Sequence, residues 1–391
     1  MKTRYVYLAC PWGPWGGGMY KVVDYLVQAQ HEVDGAPRFR VVSSRGPSLV
    51  TMPFVMLQAI VRVVYGAATG RLALLHVNLA HGISALRKLI LVYAASLAGA
   101  PTVVHVHAAN WQFFDSMPRP LRWLVRRGFR RPNCVIVLGE SARSFAISAL
   151  GVEAERVVKL TNGVPEPAVA PIPRLADEPF RLLFLGSQFE RKGLPDLLAA
   201  LARPETLKLN WQLTIAGGGR RKGDEAQQFR ERARELGIEE RVRFIGWIEQ
   251  LHVSDLLARS DALILPSYDE GLPLVILEAL GHGVPVICTP VGEIPEFLTD
   301  RETALFVTPG RCDEIAHALE ELITNPQLCT DLAATGRAHF RAHFSHEVFM
   351  RNLVAIYQRY CGLTASDSAP HSSALLDRSG ELQSACGPQK V

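Results

Sequence analysis

Short apolar runs alternate along this chain with longer stretches in which apolar positions recur every three or four residues. The runs are Tyr5–Ala9, Leu72–Val77, Thr102–His107 and Val135–Leu138 in the first half, then Arg181–Leu185, Gln212–Ala216, Val242–Phe244, Ala262–Leu265 and Val284–Cys288. Uninterrupted runs bounded by turn residues predict buried parallel strands. The stretches Gly18–Gln30, Leu194–Ala202, Asp224–Leu236, Leu251–Ala258 and Asp313–Thr324 carry helical spacing. Strand-then-helix repetition in both halves predicts two α/β, doubly wound, Rossmann-like domains. Sheets of this kind bind ligands beyond the carboxyl ends of their strands, so the chemistry is expected in the strand-to-helix loops.

Single cores stop growing near ~250–300 residues, and this chain has 391. A Pro-rich stretch, with Pro165, Pro167, Pro171, Pro173 and Pro179 and little hydrophobic periodicity, reads as the linker. The division expected is therefore 1–165, then 166–345 and a helix over 346–361 returning to the first domain. The remainder, 362–391, turns to Ser, Ala, Gly and Asp without periodicity and is expected to be a disordered tail. Leu89–Val104 is the longest charge-free apolar stretch, but it is broken by Gly99 and Pro101 and is shorter than the roughly 18 residues of a membrane span. No signal-peptide pattern opens the chain, and its seven cysteines are scattered with no C-x-x-C. A reducing, cytoplasmic location is expected.

Charge changes this picture in one place. The net charge is only +4, yet residues 1–165 hold 19 Lys and Arg against 7 Asp and Glu, leaving 23 against 31 in the rest. Much of the excess is Arg119, Arg122, Arg126, Arg127, Arg130 and Arg131, with Trp123, Leu124 and Phe129 between them. Positions 119, 122, 126 and 130 share one helical face. That face suits an anionic membrane or lipid phosphate, a nucleic-acid backbone, or plain solvation. Nucleic acid fits least, because no zinc-finger, RNP-type or helix-turn-helix pattern accompanies the charge.

Four loops carry candidate chemistry. Gly13 to Gly18 follows the first strand and leads into a helix, where glycines including Gly16 and Gly17 let backbone N–H groups reach an anion; a tight turn explains the same glycines. The loop matches neither G-x-G-x-x-G nor Walker A. Gly186-Ser187-Gln188-Phe189-Glu190-Arg191-Lys192-Gly193 puts Arg191 and Lys192 beside a helix start, as a phosphate clamp or as surface charge. Gly217-Gly218-Gly219 occupies the next carboxyl edge. In Pro266 to Ala279, Glu270 falls in a loop and Glu278 inside an otherwise apolar helix, where a lone carboxylate needs a partner. Sugar or ribose hydroxyls, or a salt bridge, would serve. The backbone amides of Gly271, Leu272 and Val275, next to Pro273, lie at that helix start and suit phosphate.

The E-x7-E spacing within "PSYDEGLPLVILEALGHGVPV", preceded by "GSQFERKG" and "AGGG" and followed by "VGEIPEFL" (Val291–Leu298), resembles the nucleotide-sugar half of family 4 (group 1) retaining glycosyltransferases. The glycine loop at Gly16 and "TNGV" (Thr161–Val164) extend the resemblance over most of the chain. It implies the GT-B architecture, two Rossmann-like domains facing across a cleft. It also implies donor-site roles for Gly16, Gly17, Ser187, Arg191, Lys192, Gly217, Gly218, Glu270, Gly271, Leu272, Pro273, Val275 and Glu278. Among these, Glu278 would bind the donor ribose, Glu270 the hydroxyls of the transferred sugar, and Lys192 the diphosphate. His107, at the end of "TVVHVH", matches the histidine beside the donor sugar, ahead of His105 and His76. Two departures stand out: Ser187 occupies a position where the family often has arginine, and Pro165 one where it usually has an acid.

The implied reaction moves a sugar from a nucleoside diphosphate to an acceptor hydroxyl with retention, using no cofactor. No metal is expected either, since no D-x-D occurs and the cations and amides can stabilise the leaving diphosphate. Glu270 and Glu278 as a glycosidase pair fit less well, because Glu278 lies two helical turns on. The expected partners are a sugar nucleotide, a glycan or lipid-linked acceptor in cell-surface glycan assembly and, through Arg119, Arg122, Trp123, Arg126, Arg127 and Arg130, an anionic membrane face; no nucleic acid is expected. A GT-B epimerase or hydrolase and a non-catalytic sugar-nucleotide binder are the alternatives.

Overall fold

A computed structural model of the chain describes residues 3–364 and 367, apart from 14–16, 32, 34, 47, 49, 80–81, 108–111, 176, 188, 219–224 and 249. The first sheet comprises β1 (Tyr5–Cys10), β2 (Phe39–Ser43), β3 (Leu72–Leu79), β4 (Thr102–Val106), β5 (Cys134–Val137) and β6 (Val157–Lys159) in the order β2-β1-β3-β4-β5-β6. The second comprises β7 (Phe180–Gly186), β8 (Trp211–Gly217), β9 (Val242–Gly246), β10 (Ala262–Leu265), β11 (Val286–Cys288) and β12 (Leu305–Phe306) in the order β12-β11-β10-β7-β8-β9. All pairings are parallel, and this is the GT-B fold.

The helices of the first domain are α1 (Gly17–Ala29), α2 (Met52–Ala68), α3 (Ile83–Leu97), α4 (Gln112–Asp115), α5 (Arg119–Phe129) and α6 (Glu140–Ser148). Those that follow are α7 (Leu194–Leu201), α8 (Pro204–Leu207), α9 (Glu225–Glu235), α10 (Gln250–Ala258), α11 (Leu274–His282), α12 (Ile294–Phe297), α13 (Cys312–Thr324), α14 (Pro326–His343) and α15 (His346–Cys361). Side chains alternate along each first-domain strand and build two cores. Tyr7 and Ala9 of β1 pack with α2, α3 and α5, whereas Val6, Leu8 and Cys10 pack with α1 and α15. A strand covered on both faces has no polar side, and every residue of β3 is buried.

Strand order reverses between β1 and β3. From there α1 leaves over one face of the sheet and α3 over the other. The second sheet reverses in the same way between β7 and β10, with α7 packed on α13 and α11 packed on α14. Each reversal opens a crevice at the carboxyl edge.

The chain leaves the first domain at Val164, whose N–H donates to Phe344 O at 2.9 Å, and returns beside it, with His346 N–H donating to Val164 O at 3.0 Å. α15 then buries Phe349, Met350, Leu353 and Tyr357 in the α1-side core. The linker lies along the second domain, Ile172 N–H donating to Ala258 O at 2.7 Å. The positive end of α6 receives carboxylates from the second domain: Glu296 accepts from Glu140 N–H at 2.6 Å and Glu293 from Ala142 N–H at 3.1 Å. Of the expected tail, Leu363 and Asp367 are buried, the Asp367 carboxylate 3.5 Å from Arg4, and Gly362 and Thr364 are exposed; the rest lies outside the described residues. Among the described residues no helix is long and apolar enough to cross a membrane.

Candidate active site

In the second domain the β7 loop delivers Lys192 and the β10 loop delivers Glu270, so the two meet across the crevice between those strands. Lys192 Nζ donates to Glu270 Oε1 at 2.5 Å, and Ser267 Oγ donates to the same oxygen at 3.0 Å. Both charged side chains are nearly buried, which is tolerable because each neutralises the other. The Lys192 stem lies across Gly186, where a Cβ would sit 2.2 Å from Lys192 Cδ. Gly217 has φ 116°, and a Cβ there would come 1.9 Å from Gly186 O, so both glycines keep this edge open to close backbone approach. Arg191 ties the loops together: its guanidinium donates to Asp269 O, its carbonyl accepts from Tyr268 N–H at 2.9 Å, and its Nη1 is 3.9 Å from Glu270. Ser187 lies at the bend that follows β7.

Pro273 caps α11, whose residues Val275 to His282 are all buried, with Gly271 and Leu272 leading in. Glu278 is the carboxylate in that apolar helix, and its partners come from the opposite domain. Lys21 Nζ and Tyr25 Oη of α1, one helical turn apart, both donate to Glu278 Oε1. Glu278 Oε2 is buried with no hydrogen-bond partner. Of the two kinds of partner open from sequence, the structure contains the salt bridge. Tyr25 also meets the His346 ring at 5.5 Å, so this contact joins α1, α11 and α15.

Across the cleft, His107 follows β4 and is half-buried, its Nε2 2.9 Å from Asn78 Oδ1 on β3. Burial above all, then the charges of His76 and Lys88, push the His107 ring down to about 3, while Asn162 opposes the shift. The ring is neutral at physiological pH. His105 stacks beside it at 4.1 Å, and His76 is bonded through Nδ1 to Tyr357 Oη of α15. The two further histidines of the row are therefore fully enclosed. Gly17 opens α1; Gly16 and Gly219 lie outside the described residues.

The residues 7–163 match a family model described as "Glycosyl transferase 4-like domain", and 167–339 match one described as "Glycosyl transferases group 1". The chain belongs to the group 1 glycosyl transferases. Among similar family members, the lipopolysaccharide core biosynthesis glycosyltransferase LpsE of Rhizobium meliloti is 32% identical over 61% of this chain and 66% of its own length. Glycogen synthase of Mycobacterium tuberculosis is 26% identical over 60% of this chain, which spans about half the relative's length, 55%. The fold is similar to that of Anabaena Alr3699/HepE, solved in complex with UDP-glucose, with a TM-score of 0.72 and 18% identity over 92% of this chain and all of that one.

In this group 1 chain α5 exposes Arg119, Arg126 and Arg127, with Arg122 half-buried and the C-cap Arg130 exposed. Arg126 and Arg130 are partly structural, donating to Ala149 O at 2.7 Å and Gly151 O at 3.0 Å. Trp123 is 60% exposed, with the Arg127 guanidinium 5.3 Å from its ring. Sequence reasoning missed two features. One is the outer face of α2, which exposes Phe54, Leu57, Val61 and Tyr65 at helical spacing. The other is the set of cleft residues Lys21, Tyr25, Asn78 and Lys88, of which Lys21 and Tyr25, four apart just after the glycine loop, carried a signal that could have marked them; Asn162 lay within the TNGV stretch but was given no role.

Proposed function

We propose that the protein transfers a sugar from a nucleoside diphosphate sugar to an acceptor hydroxyl, with retention and without a metal. The observation that carries this reading is the Lys192–Glu270 couple in the second crevice, with Glu278 next to it holding one buried, unpartnered carboxylate oxygen. A diphosphate draws on Lys192 and Arg191, the sugar hydroxyls on Glu270, and a ribose hydroxyl donates to the open Glu278 oxygen. As the sugar leaves, negative charge grows on the diphosphate, where Lys192, Arg191 and the amides at the start of α11 stabilise it. The diphosphate takes the acceptor proton, and neutral His107 holds a hydrogen bond to the sugar. The UDP-glucose bound by the Anabaena protein supports a sugar nucleotide as donor class.

The test is thermal shift with UDP, GDP, ADP and their sugar conjugates, followed by NMR of the product anomer with chelator present. A shift for one base that Glu278→Ala abolishes is expected, then an α-linked product from an α-linked donor. No shift with any nucleotide overturns the reading; product formed without acceptor identifies an epimerase or hydrolase instead, and binding without turnover across acceptors a binding protein.

The acceptor is proposed to be carried at the cytoplasmic face of an anionic membrane, as in lipid-linked glycan assembly. This rests on α2, α3 and α5, which pack side by side and expose Phe54, Leu57, Leu97 and Trp123 together with the α5 arginines. A patch that joins apolar bulk to cations matches the interfacial region of anionic lipid. Flotation with phosphatidylglycerol vesicles is expected to recover the protein, and phosphatidylcholine vesicles to recover less. Phe54→Glu with Leu57→Glu should abolish recovery; equal recovery of this variant sinks the membrane reading while leaving the transferase reading standing.

A further inference from the structure

Lys88 of α3 is fully buried. Its Nζ donates to the thioether of Met19 in the first turn of α1 at 3.5 Å, and no carboxylate is paired with it among the described residues. A buried ammonium without a counter-ion is costly, so its position matters. α3 lies over one face of the first sheet and α1 over the other. A side chain that runs from α3 to the first turn of α1 therefore crosses the crevice between β1 and β3, where strand order reverses. The same position in the second sheet holds Lys192.

The charges around Lys88 point one way. The first turn of α1 contains no acidic residue, so the helix supplies no carboxylate of its own to its positive end. Arg87, next to Lys88, is half-buried, faces Arg45 and donates to Met52 Sδ at 3.1 Å. The remaining titratable neighbours are Cys10 at the end of β1 and the neutral ring of His107 after β4. Cations, a helix N-terminus and neutral groups converge on the crevice, and among the described residues no carboxylate is paired with Lys88 there.

We propose that Lys88 is the phosphate-binding cation of the first domain, meeting a phosphoryl group that enters the β1–β3 crevice when the cleft is occupied. The inference rests on the transferase reading given above, and the phosphoryl group belongs either to the donor diphosphate or to a phosphate on the acceptor. Desolvation lowers the free ammonium to about 7; an arriving phosphate restores its preference for the charged form, so binding takes up a proton.

The test is calorimetric titration of the full chain at pH 8, in two buffers of different ionisation enthalpy, with UDP, GDP, ADP and their nucleosides. Methyl phosphate is then titrated into protein saturated with whichever diphosphate binds. If the donor diphosphate meets Lys88, diphosphate binding takes up about one proton. Lys88→Met then weakens it about tenfold to a hundredfold, removes the proton uptake and leaves nucleoside binding unchanged. Lys88→Arg restores affinity without the uptake. If the acceptor phosphate is the partner, the same pattern appears in the methyl phosphate titration. Equal affinity and equal proton uptake of wild type and Lys88→Met in both titrations overturns the proposal alone. Failure of every diphosphate to bind the wild type overturns it together with the transferase reading.

Discussion

The two crevices of this molecule are built by the same topology and differ in how their lysines are balanced. At β7–β10, Lys192 is held 2.5 Å from Glu270. At β1–β3, Lys88 is more fully enclosed but meets a thioether. A paired buried charge is tolerated and ties its two loops together; an unpaired one keeps a desolvation cost that an anion can relieve. The difference sets the largest contrast between two substitutions. Lys192→Ala strands Glu270 in a nearly buried site, and breaking such a pair costs about 3–5 kcal/mol; loss of a cation facing developing charge costs about 10²–10³ in turnover. Lys88→Met removes a charge that has no partner, so its melting temperature should equal or exceed that of the wild type. Urea denaturation of both variants checks this, and equal destabilisation of the two would erase the distinction between the crevices.

Acidity and alkalinity sharpen the same comparison. His76 and His107 are pushed down to about 3, chiefly by burial, below their ordinary value of about 6.5. Between those values the unfolded chain binds protons that the folded chain refuses. Stability is therefore lost as pH falls from 6.5 toward 3, by roughly 1.4 kcal/mol per pH unit for each histidine at most. Lys88, lowered to about 7 from 10.5, acts in a different window. From pH 7 to 10.5 the unfolded chain holds the extra proton, so stability rises with pH there, and is lost as pH falls back to 7. The melting temperature of the wild type should therefore close on that of Lys88→Met across pH 7–10, whereas the gap between them stays constant below pH 6. A constant difference at all pH values contradicts the buried, unpaired ammonium.

Legibility followed the same division. Lys192, Glu270 and Glu278 lie in contiguous stretches whose glycines, prolines and misplaced carboxylate mark them without knowledge of the fold. Lys88 lies in an apolar stretch after an arginine, and only the strand order reveals that it spans a crevice. Among the strands, β2, β6 and β12 went unread. They are short, with β6 of three residues and β12 of two, and each lies at a sheet edge, where continuous apolar character is not required. α2 went unread for the opposite reason: apolar residues surround it, so it has no polar face to define a period. That same property now marks it as a surface awaiting a partner. The stretch Leu89–Val104 reads as one apolar block in sequence but is the end of α3, the Gly99–Pro101 turn and the start of β4.

The smallest expected effect concerns the bridge between the two crevices. Tyr25 of α1 donates to Glu278 of α11 across the cleft, beside the Lys21 ion pair with the same oxygen. A hydrogen bond to a charged acceptor contributes about 1.5–3 kcal/mol, but Lys21 remains in Tyr25→Phe and keeps Glu278 neutralised, which places the cost at the low end. The ring stays in the core that it shares with Leu138 and Val164, so the fold is retained. The open oxygen of Glu278 is not the one that Tyr25 uses: the tyrosine hydroxyl donates to Oε1, and Oε2 stays available to a ribose hydroxyl. Tyr25→Phe should lower stability by about 1.5 kcal/mol and leave nucleoside diphosphate affinity unchanged, whereas Glu278→Ala lowers both. If Tyr25→Phe weakens nucleotide binding as strongly as Glu278→Ala does, then Tyr25 is itself part of the nucleotide site, and the two domains share that site instead of merely touching beside it.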